Sequence, residues 1–139
     1  MRDPFLMKPV GTVRCTRSEA TDDDWDAEST RIELDTTVFD DEALMGLDSF
    51  SHAEVIFLFD RVADAKIVTG ARPPRGQTDW PKIGIFAQRG KNRPNRLGAT
   101  VCEILSVDGT VLHIKGLDAI DGTPVLDLKP VMSGFQPRG

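Results

Sequence analysis

The chain has 139 residues and a net charge of -5, with 40% hydrophobic and 28% charged side chains. That length fits one domain with a real core, and the composition is ordinary for a soluble globular protein. No apolar run reaches the ~20 residues needed to span a bilayer, and Met1-Arg2-Asp3-Pro4 does not open a signal peptide's apolar segment. A cytoplasmic protein without a membrane partner is therefore expected.

Lys8 to Arg14 alternates weakly and reads as a strand, with Val10 and Val13 as its apolar members. Cys15 to Ser29 is polar, contains Asp22-Asp23-Asp24, and reads as a loop. Trp25 is out of place in a solvated loop and suggests docking on a surface or partner. Thr30 to Leu34 alternates again, as a half-buried strand does. Asp40 to Met45 reads as a short helix: acids fill its first turn, where they suit the helix dipole, and Gly46 stops it.

Val55-Ile56-Phe57-Leu58-Phe59 is continuously apolar and rich in strand formers. Such a run predicts a strand covered on both faces, at the centre of the fold or in a subunit interface. Arg72 to Pro81 is a loop marked by proline and glycine, and Ile83 to Phe86 reads as a strand. Ala99 to Val107 and Val111 to Lys115 are two strands joined at Asp108-Gly109, a hairpin signal. Asp121-Gly122 marks another turn, and Val125 to Leu128 a last short strand. Many short strands and one weak helix predict an all-β fold, mainly β with a short helix, closed as a barrel.

The charge is unevenly placed. From Ser18 to Asp48 there are twelve acids and one base, whereas from Arg61 to Arg96 there are nine bases and two acids. Two readings stand: a basic face able to engage phosphates, or two halves that pair across the fold.

The densest basic segment is Gly84 to Gly98, a short apolar strand running into a loop with Arg89, Lys91, Arg93 and Arg96. Arginine's rigid fork suits carboxylate and phosphate groups, and a basic loop at a strand end is a common anion holder. The standard phosphate-loop and dinucleotide glycine patterns are absent. His52 and His113 are too few for most zinc sites, so no metal is expected. Cys15 and Cys102 match no metal spacing. They read as small buried hydrophobes in a reducing compartment, with a disulfide or redox role as the other reading.

His113 alternates within a strand and reads as a satisfied strand-face histidine. His52 stands where a turn enters the apolar strand, a strand end of the kind where ligands are held, so it is a candidate for lining a site. Asp121 reads as a turn residue and Asp127 as an ion-pair partner of Lys129. Asp118, at a strand exit after Gly116-Leu117, is the strongest carboxylate for ligand work.

Four blocks together resemble one family, the TsaA-like or TrmO-type β-barrel methyltransferases. Its Phe-Ala-Thr-Arg-Ser-x-x-Arg-Pro-Asn-Pro-Ile-Gly hallmark stands here as Phe86 to Gly98. Its Gly-Leu-x-x-Phe-Ser-His is Gly46 to His52, its Arg-Pro-Pro-Arg is Arg72 to Arg75, and its Leu-Asp-x-x-Asp-Gly-Thr-Pro-Val-x-Asp-Ile-Lys-Pro is Leu117 to Pro130. The resemblance covers residues 9–130, and the whole of 1–139 is expected to be one such domain without an extra C-terminal one.

This resemblance implies a small single-sheet barrel that forms a homodimer, with S-adenosylmethionine held near the subunit interface. It implies N6-methylation of threonylcarbamoyl-adenosine in transfer RNA, next to the anticodon. By motif position, the cofactor contacts are His52, Ala53, Arg89, Ala99, Gly116, Leu117 and Asp118. Arg93, Asn95 and Arg96 would meet the substrate. Methylating an amide-like nitrogen calls for a base, and Asp118 is the catalytic candidate.

The chain departs from the pattern in several places. The family's N-terminal Pro-Arg-Gln has no counterpart. Gln88 replaces a Thr, Arg96 replaces the second proline of Pro-Asn-Pro, and Val131 replaces a Tyr. These changes keep two alternatives open: a methyltransferase for a small metabolite or another RNA, and a non-catalytic S-adenosylmethionine-binding module.

Overall fold

In the computed structural model, residues 2–15, 29–74 and 79–135 are described. Trp25, most of the acidic loop and Arg75 lie outside them. Six strands close into an antiparallel barrel. In chain order they are β1 (Gly11–Arg14), β2 (Ser29–Leu34), β3 (His52–Leu58), β6 (Leu97–Asp108), β7 (Val111–Lys115) and β8 (Pro124–Pro130). Around the barrel the order is β1-β2-β7-β6-β3-β8, with β8 pairing back to β1. Two-residue strands β4 (Ala71–Arg72) and β5 (Ile83–Gly84) pair outside it. Closure removes every exposed edge of the main sheet.

Strand alternation builds the core. Val13, Ile32, Val55, Phe57, Leu112, Ile114 and Val125 all point inward and are buried. Two glycines answer close approaches in this packing. A Cβ at Gly11 would stand 2.6 Å from the Glu33 carbonyl oxygen, and one at Gly98 would enter the Phe57 ring.

The chain differs from its sequence pattern in several places. β1 begins at Gly11, because Lys8 and Pro9 make no ladder. The apolar run of β3 alternates: Ala53, Val55 and Phe57 are buried, while Ile56 and Leu58 are half-buried on the outside. One face of that strand is therefore covered, and the other is an apolar outer wall. The Ile83–Phe86 strand stops at Gly84 and turns into a 3₁₀ turn over Ile85–Ala87. The helix at Asp40–Met45 is a 3₁₀ turn over Asp41–Leu44, capped by the Asp40 side chain accepting from the Glu42 N–H. Gly46 follows at φ 85°, as a left-handed stop requires.

The β6–β7 hairpin pairs Asp108 with Val111, so its loop is Gly109-Thr110, one residue later than the dipeptide signal. Gly109 takes φ 63° and Thr110 does not take positive φ, the pattern of a II′ turn. Asp121-Gly122 turns as its sequence suggests, with Gly122 at φ 87°.

The ion pairs of Glu33 and Arg96 stay close to home. Glu33 pairs with Arg14 and Arg31, and Arg96 pairs with Asp64 inside its own half. Both arginines hold the Glu33 carboxyl below its ordinary range, chiefly through the Arg31 hydrogen bond.

Candidate functional site

The basic segment does not wave free at the strand end. The Gln88 side-chain amide donates to the carbonyls of Arg72 (3.1 Å) and Ile83 (2.9 Å), which fastens the loop to the small β4–β5 sheet. Arg93 donates to the carbonyls of Gln88 (2.8 Å) and Gly90 (3.3 Å), so its guanidinium holds the loop's own curve. Arg96 takes φ 53°, and its N–H closes a turn on the Arg93 carbonyl at 3.0 Å. A proline could do neither, since its φ is fixed near −65° and it has no N–H. The Arg96 side chain pairs with Asp64.

The loop roofs a cleft of ≈ 550 Å³ at the barrel rim. Phe57, Phe59, Gly98 and Thr100 come from the barrel side, Phe86 and Arg89 from the loop, and Asp118 from the segment after β7. Arg89 donates to the Ala99 carbonyl, and the Thr100 hydroxyl donates to the Asp118 carboxylate. Phe86 is 79% exposed, a large apolar surface left facing the cleft and solvent. An exposed ring at a cleft mouth is a stacking surface for a flat or cationic ligand group.

A second cleft of ≈ 330 Å³ adjoins the first, and Phe59 and Asp118 line both. Phe59 packs edge-on against Phe57, with ring centroids 5.1 Å apart, so its position is set by the core. Asp118 also acts on the barrel interior. Burial first, and the Asp118 carboxylate second, push the Cys102 thiol up to about 12.

The residues singled out in the sequence separate into groups here. Arg89, Ala99 and Asp118 meet in the larger cleft, and Arg93 lines it too. Gly116, at φ 93°, turns the chain, and fully buried Leu117 anchors it, which aims Asp118 at the rim. Asn95 is exposed in the Arg93–Arg96 turn, and Arg96 faces Asp64. Ala53 is buried in the barrel core. His52 is exposed, with Nδ1 2.8 Å from the Ser51 hydroxyl. It is five residues along β3 from Phe57, roughly 16 Å at ~3.3 Å per residue, and lies outside the cleft.

Thr100, Phe59 and Phe86 line the cleft without having been singled out individually. Thr100 and Phe59 had no signal beyond strand alternation. Phe86 had one, as the aromatic that opens the basic segment.

With this geometry in view, comparison with known proteins is decisive. Residues 21–136 match the family model described as the tRNA-methyltransferase O N-terminal domain. The chain belongs to this family. Among its relatives, the mouse tRNA (adenine(37)-N6)-methyltransferase is 37% identical over 95 residues, covering 68% of this chain. The chain spans only 22% of that relative's length. A probable S-adenosyl-L-methionine-binding protein of Methanothermobacter thermautotrophicus is 36% identical over 137 residues, covering 96% of this chain and 94% of that protein. The crystal structure of TrmO from Pseudomonas aeruginosa superposes with a TM-score of 0.75 at 28% identity, covering 96% of this chain and 58% of that one. The TrmO-type single-sheet barrel expected from the motifs is the fold observed.

Among the described residues, no group of three or more His, Cys, Asp or Glu side chains could hold a metal ion, and no helix is long and apolar enough to cross a membrane.

Proposed function

We propose that this chain is an S-adenosylmethionine-dependent methyltransferase acting on transfer RNA, at N6 of threonylcarbamoyl-adenosine next to the anticodon. The observation that carries this reading is the convergence of Arg89, Phe86 and the Thr100-supported Asp118 on one rim cleft. Its volume lies in the range of small-molecule sites. The donor set fits the cofactor's parts. The Asp118 carboxylate suits hydroxyl or ammonium donors, Arg89 suits a carboxylate, and Phe86 suits a heterocycle or a sulfonium. The names of the mouse and archaeal relatives support the same chemistry.

When bound, S-adenosylmethionine supplies an electrophilic methyl carbon whose bonding pair stays with sulfur as the bond breaks. The chain has to align an acceptor nitrogen with that carbon and keep water out. Asp118 accepts the proton that an amide-like nitrogen loses. Thr100 keeps that carboxylate aimed while it does so. Arg93 holds the loop that covers the cleft.

The same reading makes the chain a cytoplasmic homodimer. The outer wall of β3 and β6 supports the dimer: half-buried Ile56 and Leu58 lie beside Leu97 and Val101, which are 38% and 48% exposed. A second copy on this wall would explain how exposed His52 and the Arg89 cleft could serve one site, though they stand apart within a chain.

Calorimetric titration with S-adenosylmethionine and with its demethylated product tests the site. About one ligand per chain is expected, and Arg89→Ala should abolish binding with the fold intact. Methyl transfer to transfer RNA should then fall steeply with salt, as phosphate contacts require. No binding to either ligand, in a folded protein, would overturn the enzyme reading.

A second reading, a methyltransferase for a small metabolite or another RNA, draws on the internal engagement of Arg93 and Arg96. Salt-insensitive transfer to a small acceptor would establish it. Binding without turnover on any acceptor would mark a non-catalytic binding module.

A further inference from the structure

We infer that the smaller cleft is the acceptor half of the site: its apolar floor takes the nucleobase, and Lys66 and Lys91 take the phosphates that flank it. This rests on the transfer-RNA reading above and names residues that the family motifs do not.

The inference starts from the cations that no protein group engages. Of the four in the basic segment, Arg89 donates to the Ala99 carbonyl, Arg93 to those of Gln88 and Gly90, and Arg96 to Asp64. Lys91 remains. Among the described residues its ammonium has no hydrogen-bond or ion-pair partner, and neither has that of Lys66. Both line the smaller cleft. Arg61 lines it as well but donates to the Asp121 carbonyl at 3.1 Å.

The two lysines come from segments tied together. The Val68 N–H donates to the Asn92 carbonyl at 2.9 Å, which clips the chain after Lys66 to the chain after Lys91. Lys66 ends the 3₁₀ turn Asp64–Lys66, and the Asp64–Arg96 pair anchors that turn to the basic loop. Lysine's compact charge on a flexible stem suits a phosphate backbone, where position counts and base identity does not.

The floor is Phe59, Val62, Ala63 and Ile120. An apolar slot with an aromatic wall suits a base lifted out of its stack, since every base has a stacking face. The acids of the lining are Asp60 and Asp118. Asp118 also lines the larger cleft, so a base in this slot would reach the carboxylate proposed to take the proton.

The test is a salt series of binding to a fluorescein-labelled anticodon stem-loop RNA, with titration of the demethylated cofactor in parallel. Both would be run on wild type, on Lys66→Gln/Lys91→Gln, and on a charge-matched control, Lys8→Gln/Lys115→Gln. The cleft variant should bind RNA about tenfold or more weakly at low salt. Its log K against log salt slope should be shallower by about two, since each phosphate left without its lysine takes away about one. Its affinity for the demethylated cofactor and its melting temperature should match wild type, and the control should keep most of the RNA affinity. Unchanged RNA affinity and slope in the cleft variant would overturn the inference while leaving the transfer-RNA reading standing. Loss of cofactor binding would move the lysines to the donor site and overturn it too. Wild-type protein that binds the demethylated cofactor but no RNA would remove the acceptor reading and this inference together.

Discussion

The Thr100 hydroxyl donates to the Asp118 carboxylate, joining β6 to the segment after β7 at the point where the two clefts meet. The bond spans eighteen residues of sequence. It holds the one carboxylate that both clefts share.

Asp118→Asn keeps the shape and the Thr100 bond but cannot take up a proton. Methyl transfer should fall by about 10²–10⁴, the usual worth of a positioned base. Melting temperature should stay near wild type. Initial rates on transfer RNA, with calorimetry of the demethylated cofactor alongside, check this. Full activity would remove Asp118 as the base.

At position 96 the backbone decides. Arg96→Pro cannot reach φ 53° and loses the N–H that closes the turn on Arg93. It should cost about 1–3 kcal/mol or more and disturb the larger cleft. Arg96→Gly accepts the backbone and loses only the Asp64 pair. Chemical denaturation should rank Gly well above Pro. The reverse order would contradict the left-handed turn.

Gly98→Ala puts a methyl group into the Phe57 ring, with Cε2 2.6 Å from the new Cβ. Phe57 is buried and cannot swing clear, so the expected cost is about 1–3 kcal/mol. For a domain of this size that is a drop of several degrees in Tm. Phe57→Leu in the same background should recover part of the loss. No recovery would place the strain elsewhere.

Cys102 supplies a pH test. Its thiol is raised to about 12 by burial and by the Asp118 carboxylate, against 9.0 for an ordinary thiol. The unfolded chain therefore releases this proton first as pH rises. The contribution is complete below about pH 9 and is lost between there and about pH 12. Cys102→Ala should flatten that alkaline loss. Iodoacetamide at mildly alkaline pH, followed by mass spectrometry, should leave Cys102 unmodified in the native protein and label it in denaturant. Rapid native labelling would refute the burial.

Much of the barrel was legible in the sequence. Thr30–Leu34 and Val111–Lys115 announce their strands by alternation, and Gly46 and Gly122 mark the turns where φ must be positive. Val55 to Phe59 reads as covered on both faces, at the centre of the fold or in a subunit interface; within the chain only the inward face is covered, and Ile56 and Leu58 belong to the wall proposed for a second copy. The Ile83 strand was misread for a physical reason. Ile83 to Phe86 has strand composition, but the Gln88 amide draws the chain into a 3₁₀ turn by bonding Arg72 and Ile83.

The site divides along the same line. By itself the sequence determined the fold family and the segments that matter, because motif order and spacing survive without coordinates. It also marked Arg89 and Asp118. The tertiary structure decided what each cation does. Arg93 and Arg96 look like anion binders in a linear reading. Folding brings backbone carbonyls and Asp64 within their reach, so part of each guanidinium is spent on holding the loop. Lys66 and Lys91 are 25 positions apart and share no motif. They line one cleft because the Val68–Asn92 bond and the Asp64–Arg96 pair tie their segments together, a long-range geometry that no local pattern encodes.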